Sequence, residues 1–384
     1  MDRLPPGPGR WRPSGVPAAS LTVPALIASR VLDAELGALL WITVEANVPL
    51  IVAAADEAAP ARPMLDAFLD FLPPVVERID LEGPRETFAW LGDAAALGWT
   101  GDDEHLPAAG DVGTGPQRRP GIALPPRRMA PPETTYLVAG DVASDLGAGM
   151  SGPPLRLLVR ALQRGYGLGA TMRADSLEQV LVRLGSPPAS VSADELRRLG
   201  LVIVLTRRVA SAGRGPGSTD AGVVDTDTRG PSAAAGLGNR SRRGPRAAGS
   251  ESAGNPSDRS ADGAAERSAP TVVGAGEGID VGAWRVGACH YIRPLERDAA
   301  GHLQRRPPAV LATWDRERDV VEHFEWGVVA ELAMRVGLGR DEFEREHLAR
   351  TRILSTLAAS GRTSPRALRA LLDRRSRQGA GGEG

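Results

Sequence analysis

Five short apolar runs, each set between stretches of helical periodicity, constrain this chain more than any other feature of its sequence. VPLIVAAA (48–55), VVERIDL (75–81), TTYLVAGDV (134–142), GLGATM (167–172) and LVIVLTR (201–207) have the length and β-branched content of strands. Between them, residues 33–46 place Leu36, Leu39, Leu40 and Val44 at helical spacing. Residues 63–71 predict a second helix that ends at Pro73-Pro74, and LRLLVRALQRG (155–165) and SLEQVLVRLG (176–185) predict two more. Strands that alternate with helices pair in parallel, because a parallel neighbour can be reached only through a crossover. The expected fold class is therefore α/β, a sheet sandwiched between helices. WRVGACHYIRPLE (284–296) and PAVLATWD (308–315) predict a hairpin-like return, and EWGVVAELAMRVGL (325–338) with residues 341–361 predict a C-terminal helical end.

The same patterning divides the chain. Residues 1–20 are rich in Pro and Gly and predict a disordered tail; the core is expected over 21–210, with a loop at about 101–133. From 211 to 278 the composition is Gly, Ser, Ala, Arg and Asp without apolar periodicity, too little buried surface to offset ordering entropy, so a disordered insertion is expected there. The remainder of the core and the closing helices fall in 279–375, and 376–384 predicts a second tail.

Composition narrows function. With 384 residues and 42% hydrophobic content the chain can build a substantial core. Its net charge of −1 argues against nucleic acid or an anionic membrane as partner. The single cysteine, Cys289, excludes an intrachain disulfide and every multi-cysteine zinc pattern, and the five histidines lack ligand spacing, so no metal is expected. The N-terminus lacks the apolar segment of a signal peptide, and the longest apolar stretch, 36–55, is interrupted by Glu45, Asn47 and Pro49. A cytoplasmic location follows as the expectation, with a peripheral place at the inner face of the membrane as a variant of it. NRSRRGPR (239–246) has acidic neighbours and no aromatics, which suits a solvated linker; nucleic-acid binding through it is the alternative.

Six phrases in order carry a resemblance. LTVPALIASRVLDAELGALLWITVEANVPLIVA, MLDAFLDFLPP, RIDLEGPRE, YLVAGDV, GYGLGATMRADSLEQVLVRL and FEREHLARTRILSTLAASGRTSPRALRALL resemble, successively, parts of the type II/type IV secretion and pilus-assembly ATPase family. They look like its approach to the P-loop, the helix after it, the acidic box, the Walker B strand, the histidine box and the helical ending. The resemblance implies a RecA-like P-loop NTPase sandwich, ring assembly with like subunits or an active paralogue, and an inner-membrane platform protein as a further partner.

The departures from that family fall on its chemistry. A working P-loop needs glycines so that backbone N–H groups can surround phosphates, a lysine for the β/γ oxygens and a hydroxyl for Mg²⁺. At the matching positions stand Ala55, Pro60, Ala61 and Arg62, and all 46 basic Lys+Arg residues of the chain are arginine. The acidic box keeps Glu82 and Glu86, carboxylates expected on a solvated turn, but has Gly83 in place of an aspartate; Asp141 stands in the Walker B glutamate position with Ala143 after it. Tyr166 and Arg173 replace the two histidines. The expectation is a degenerate, non-hydrolysing member with an assembly or regulatory role; Mg·ATP enters only under the alternative, a divergent ATPase working with Arg62, Asp141 and Glu82.

Overall fold

A computed structural model describes residues 21–92, 94–99, 130–144, 149–208, 280–298, 300–324 and 327–380. The expected tail 1–20, almost all of the loop at 101–133, the insertion 211–278 and the last four residues lie outside the described residues.

The chain begins with α1 (Val23–Ala28), capped by the Thr22 hydroxyl, and α2 (Ala34–Glu45), whose first turn is capped by Asp33 accepting the Leu36 N–H at 2.9 Å. Then follow β1 (Leu50–Ala54), α3 (Ala61–Leu69), β2 (Glu77–Asp80), β3 (Thr135–Ala139), α4 (Gly152–Ala161), β4 (Gly167–Met172), α5 (Leu177–Gly185), α6 (Ala193–Leu196) and β5 (Leu201–Arg207). The last part holds β6 (Trp284–Tyr291), the short pair β7 (Glu296–Arg297) and β8 (Leu303–Gln304), β9 (Ala309–Asp315), β10 (Val320–His323), α7 (Val329–Arg335), α8 (Arg340–Ala359) and α9 (Pro365–Ala380).

One eight-stranded sheet in the order β10-β9-β6-β5-β1-β4-β3-β2 forms the centre. The five runs read as strands are β1 to β5, all parallel, and β6, β9 and β10 extend the sheet antiparallel from β5. This order and the right-handedness of crossovers dictate the layers. The step from β1 outward to β2 sends α3 to one face, while the steps back from β3 to β4 and from β4 to β5 send α4 and α5 to the other. Two cores result. Leu50, Val52, Ile203 and Tyr136 meet α1, α2, α3, α7 and α8 on one face; Ile51, Ala53, Leu168 and Val202 meet α4 and α5 on the other. Alternate residues of the central strands therefore serve opposite cores, which is why those strands are apolar throughout.

Three boundaries differ from expectation. The helix expected from Pro63 starts at Ala61, because Pro60 serves as N-cap and Pro63 is tolerated in the first turn, where its missing N–H breaks no helical bond. The tail expected from 376 is helical to Ala380. β10, not foreseen, pairs only with β9 and forms an edge.

Candidate functional site

In an open parallel sheet, ligands bind beyond the carboxyl ends of the strands, where successive connections leave toward opposite faces. Here the connection after β1 runs to the α3 face and the one after β4 to the α5 face, so the crevice lies beyond β1 and β4. Residues 55–60 after β1, Arg173 after β4 and Asp141 after β3 meet at this end of the sheet.

The loop after β1 closes upon itself. The Asp56 carboxylate accepts the Ala58 N–H at 2.9 Å and its carbonyl accepts the Ala59 N–H at 3.1 Å, so these two donors point inward. Helix α3 then opens with Pro60 at its N-cap and Pro63 as its third residue. Neither has an N–H, which leaves only Ala61 and Arg62 to offer donors from a helix start that would normally present four. Ala55 is exposed beside the loop, and Ala61 is half-buried.

Arg62 reaches across to β2. Its Nη2 lies 2.7 Å from Asp80 Oδ1 on β2 and its Nε 3.3 Å from Asp66 Oδ2, and Arg78 closes the ring at 2.5 Å from Asp66 and 3.2 Å from Asp80. Burial pushes the Arg78 guanidinium down, but the hydrogen bond to Asp66 and the charges of Asp66 and Asp80 more than offset it and hold its pKa above the usual value. This ring neutralises Arg62 at the edge of the sheet.

Arg173 bridges two carboxylates, its Nη2 at 2.9 Å from Glu57 Oε1 and its Nε at 3.7 Å from Asp141 Oδ2. Asp141 itself has φ 43° and Ala143 φ 54°, left-handed values held by the Asp141 N–H donating to Thr171 Oγ1 at 2.8 Å and the Ala143 N–H donating to the Met150 carbonyl. Arg207 adds a longer contact, 3.8 Å, to Asp56. The crevice thus holds three carboxylates, Asp56, Glu57 and Asp141, against Arg173 and Arg207. A phosphate would have to displace these acids from their arginines and then sit among them.

The remaining candidates do not join this group. Glu82 is exposed beyond β2, but Glu86 corrects the expectation of two carboxylates on a solvated turn. It is 6% exposed and accepts three hydrogen bonds, from the Glu82 N–H, the Phe88 N–H and the Trp90 indole, at 3.0, 3.0 and 3.3 Å. Tyr166 precedes β4 and Arg173 follows it, so the strand separates them by roughly 20 Å, at about 3.3 Å per residue. The Tyr166 hydroxyl donates to the Ala130 carbonyl at 2.8 Å and its ring meets Trp90 edge-on, a core role far from the crevice. Sequence reasoning missed Pro63, Asp56, Glu57 and Asp80. The signal was available for Pro63, since a proline in the first turn of a phosphate-binding helix removes a donor.

A second cluster lies at the start of α2, where one ligand atom each of Asp33, Glu35 and His323 falls within 4.8 Å of the others. His323 Nε2 is 2.7 Å from Asp33 Oδ2, Asp33 already caps α2, and the helix presents its positive end here, which disfavours a cation. The group clasps the edge strand β10 to α2.

No family model matches the chain, and a search of curated proteins finds no match. Among the described residues no helix is long and apolar enough to cross a membrane.

Proposed function

We propose that this chain is a non-hydrolysing subunit built on a RecA-like scaffold of the secretion and pilus-assembly ATPase type, acting in assembly or regulation beside like subunits or a catalytically intact paralogue. The observation that carries this reading is the state of the loop after β1. It occupies the place where a nucleotide's phosphates would sit, yet two prolines, an inward-turned Asp56 turn and the Asp56 and Glu57 carboxylates stand in place of a phosphate cradle. Phosphoryl transfer depends almost wholly on positioning and on charge that offsets the phosphates. Here the guanidinium nearest the loop in sequence, Arg62, is bound by Asp66 and Asp80, and the chain holds no lysine.

Titration calorimetry with Mg·ATP and a phosphate-release assay on the purified chain test this. The expected result is no binding tighter than about 1 mM, roughly −4 kcal/mol, and phosphate release equal to buffer. Low-micromolar binding, about −8 kcal/mol, with turnover lost on Asp141→Asn, would replace the proposal with the divergent ATPase.

A further inference from the structure

β2 ends the sheet on one side, with β3 as its neighbour. Its register on β3 decides which of its main-chain groups are used. Glu77, Arg78, Ile79 and Asp80 lie beside Thr135, Tyr136, Leu137 and Val138 in parallel, and the Leu81 N–H donates to the Val138 carbonyl at 2.8 Å. In a parallel ladder alternate residues turn N–H and C=O toward the same neighbour, so Ile79 and Leu81 serve β3. Arg78 and Asp80 aim theirs out of the sheet, where no other main-chain group meets them among the described residues.

Natural proteins guard such edges with proline, bulges or charges that repel a like strand. β2 has no proline, and its pairing with β3 shows no register shift. Arg78 and Asp80 are exposed, opposite in sign, and two residues apart on one face of the strand. That arrangement is complementary to itself. A two-fold axis normal to the sheet lays two copies of β2 antiparallel. Centred on Arg78 or on Asp80, the register opposes identical charges. Centred on Ile79, it sets Arg78 of each copy opposite Asp80 of the other, and these are the residues whose main-chain groups point outward.

We infer that β2 pairs in this register with β2 of a second copy of the chain, joining two sheets into one across a two-fold axis at Ile79. Each Arg78–Asp80 pair then exchanges two N–H···O=C bonds, with Cα atoms about 5.5 Å apart, and brings guanidinium and carboxylate within ion-pair reach. On the opposite face Ile79, half-buried in one copy, meets Ile79 of the other. An antiparallel strand added to a parallel edge is a common mixed sheet, and a self-complementary contact closes at the dimer. The contact uses none of the groups in the crevice beyond β1 and β4, so it stands apart from the function proposed above.

Sedimentation equilibrium of the full chain tests this. The expected result is reversible association from monomer to dimer as concentration rises to about 100 μM. Arg78→Glu and Asp80→Arg each place like charges opposite one another at both pairs, and each should weaken association by about tenfold or more. Mixed in equal amounts, the two variants should recover the parent's association, because every new charge then faces its opposite. The double exchange Arg78→Glu/Asp80→Arg restores both pairs within one sequence at unchanged net charge and should dimerise as the parent does. Thermal melts separate loss of pairing from loss of folding; if a single change unfolds the chain, failure of the folded double exchange to dimerise overturns the inference. It is overturned equally by a parent that stays monomeric throughout, by a dimer indifferent to both single changes, or by folded single variants that stay monomeric when mixed.

Discussion

Glu86→Gln should destabilise this protein by about 2 kcal/mol although it replaces one oxygen by an NH₂ group. In the native carboxylate, Oε1 accepts the Phe88 N–H and the Trp90 indole N–H, and Oε2 accepts the Glu82 N–H. An amide has one acceptor oxygen. With that oxygen serving the two buried donors, the NH₂ group opposes the Glu82 N–H and orphans it, at a cost of about 1 kcal/mol since this donor is only partly buried. Loss of charge on the two remaining bonds adds roughly 0.5 kcal/mol each. Glu86→Ala abandons all three donors, two of them buried, and should cost about 4 kcal/mol. Urea unfolding followed by tryptophan fluorescence measures both, with the stability change read from the midpoint at constant slope. If both variants fall within about 0.5 kcal/mol of the parent, the carboxylate is not the buried acceptor described and the acidic segment returns to being a solvated turn. Equal losses in the two variants would assign the effect to shape rather than to acceptor count.

Two further outcomes follow from the core. A Cβ at Gly167 would lie 2.2 Å from Cδ2 of Tyr136, whose ring is buried and which donates its hydroxyl to the Val48 carbonyl at 3.1 Å, so Gly167→Ala should cost about 3 kcal/mol in the same unfolding assay. The buried Tyr291 hydroxyl has no hydrogen-bond partner among the described residues, and burial pushes its pKa up to about 12. The folded value lies above the unfolded one, near 10, so the associated stability is whole below about pH 10 and lost between about pH 10 and 12, up to roughly 2.7 kcal/mol. Tyr291→Phe should make that alkaline decline shallower, the remainder coming from Tyr136 and Tyr166, whose pKa values burial also raises, and leave stability at neutral pH equal or higher; an unchanged decline would refute the assignment.

The sheet was legible because each of β1, β3 and β5 feeds two cores at once, and burial on both faces writes an unbroken apolar run into the sequence. β10, VVEH at an edge, carries no such run and was missed. Glu86 was misread because its partners are two main-chain N–H groups and an indole, brought together by a turn in which Phe88 takes φ 53°, and sequence spacing does not report such a turn. Tyr166 and Arg173 look adjacent within GYGLGATMR, yet a six-residue strand puts its two flanks at opposite edges of the layer.

On the proposed reading the missing lysine is the most visible departure in the sequence, but the geometry makes it the lesser obstacle to nucleotide. A lysine supplies one charge at one end of the phosphates; the backbone donors supply the cradle, and here Pro60 and Pro63 lack them while Asp56 has claimed those of Ala58 and Ala59. Ala61→Lys alone should therefore leave calorimetric heats with Mg·ATP at baseline. Adding Asp56→Gly, Pro60→Gly, Arg62→Thr and Pro63→Ala restores donors, frees the loop and supplies a hydroxyl for magnesium, and this combination should bring binding into the measurable range, stronger than about 1 mM. If Ala61→Lys by itself gave that binding, charge and not the cradle would be what this loop lacks, and the prolines would lose the weight placed on them here.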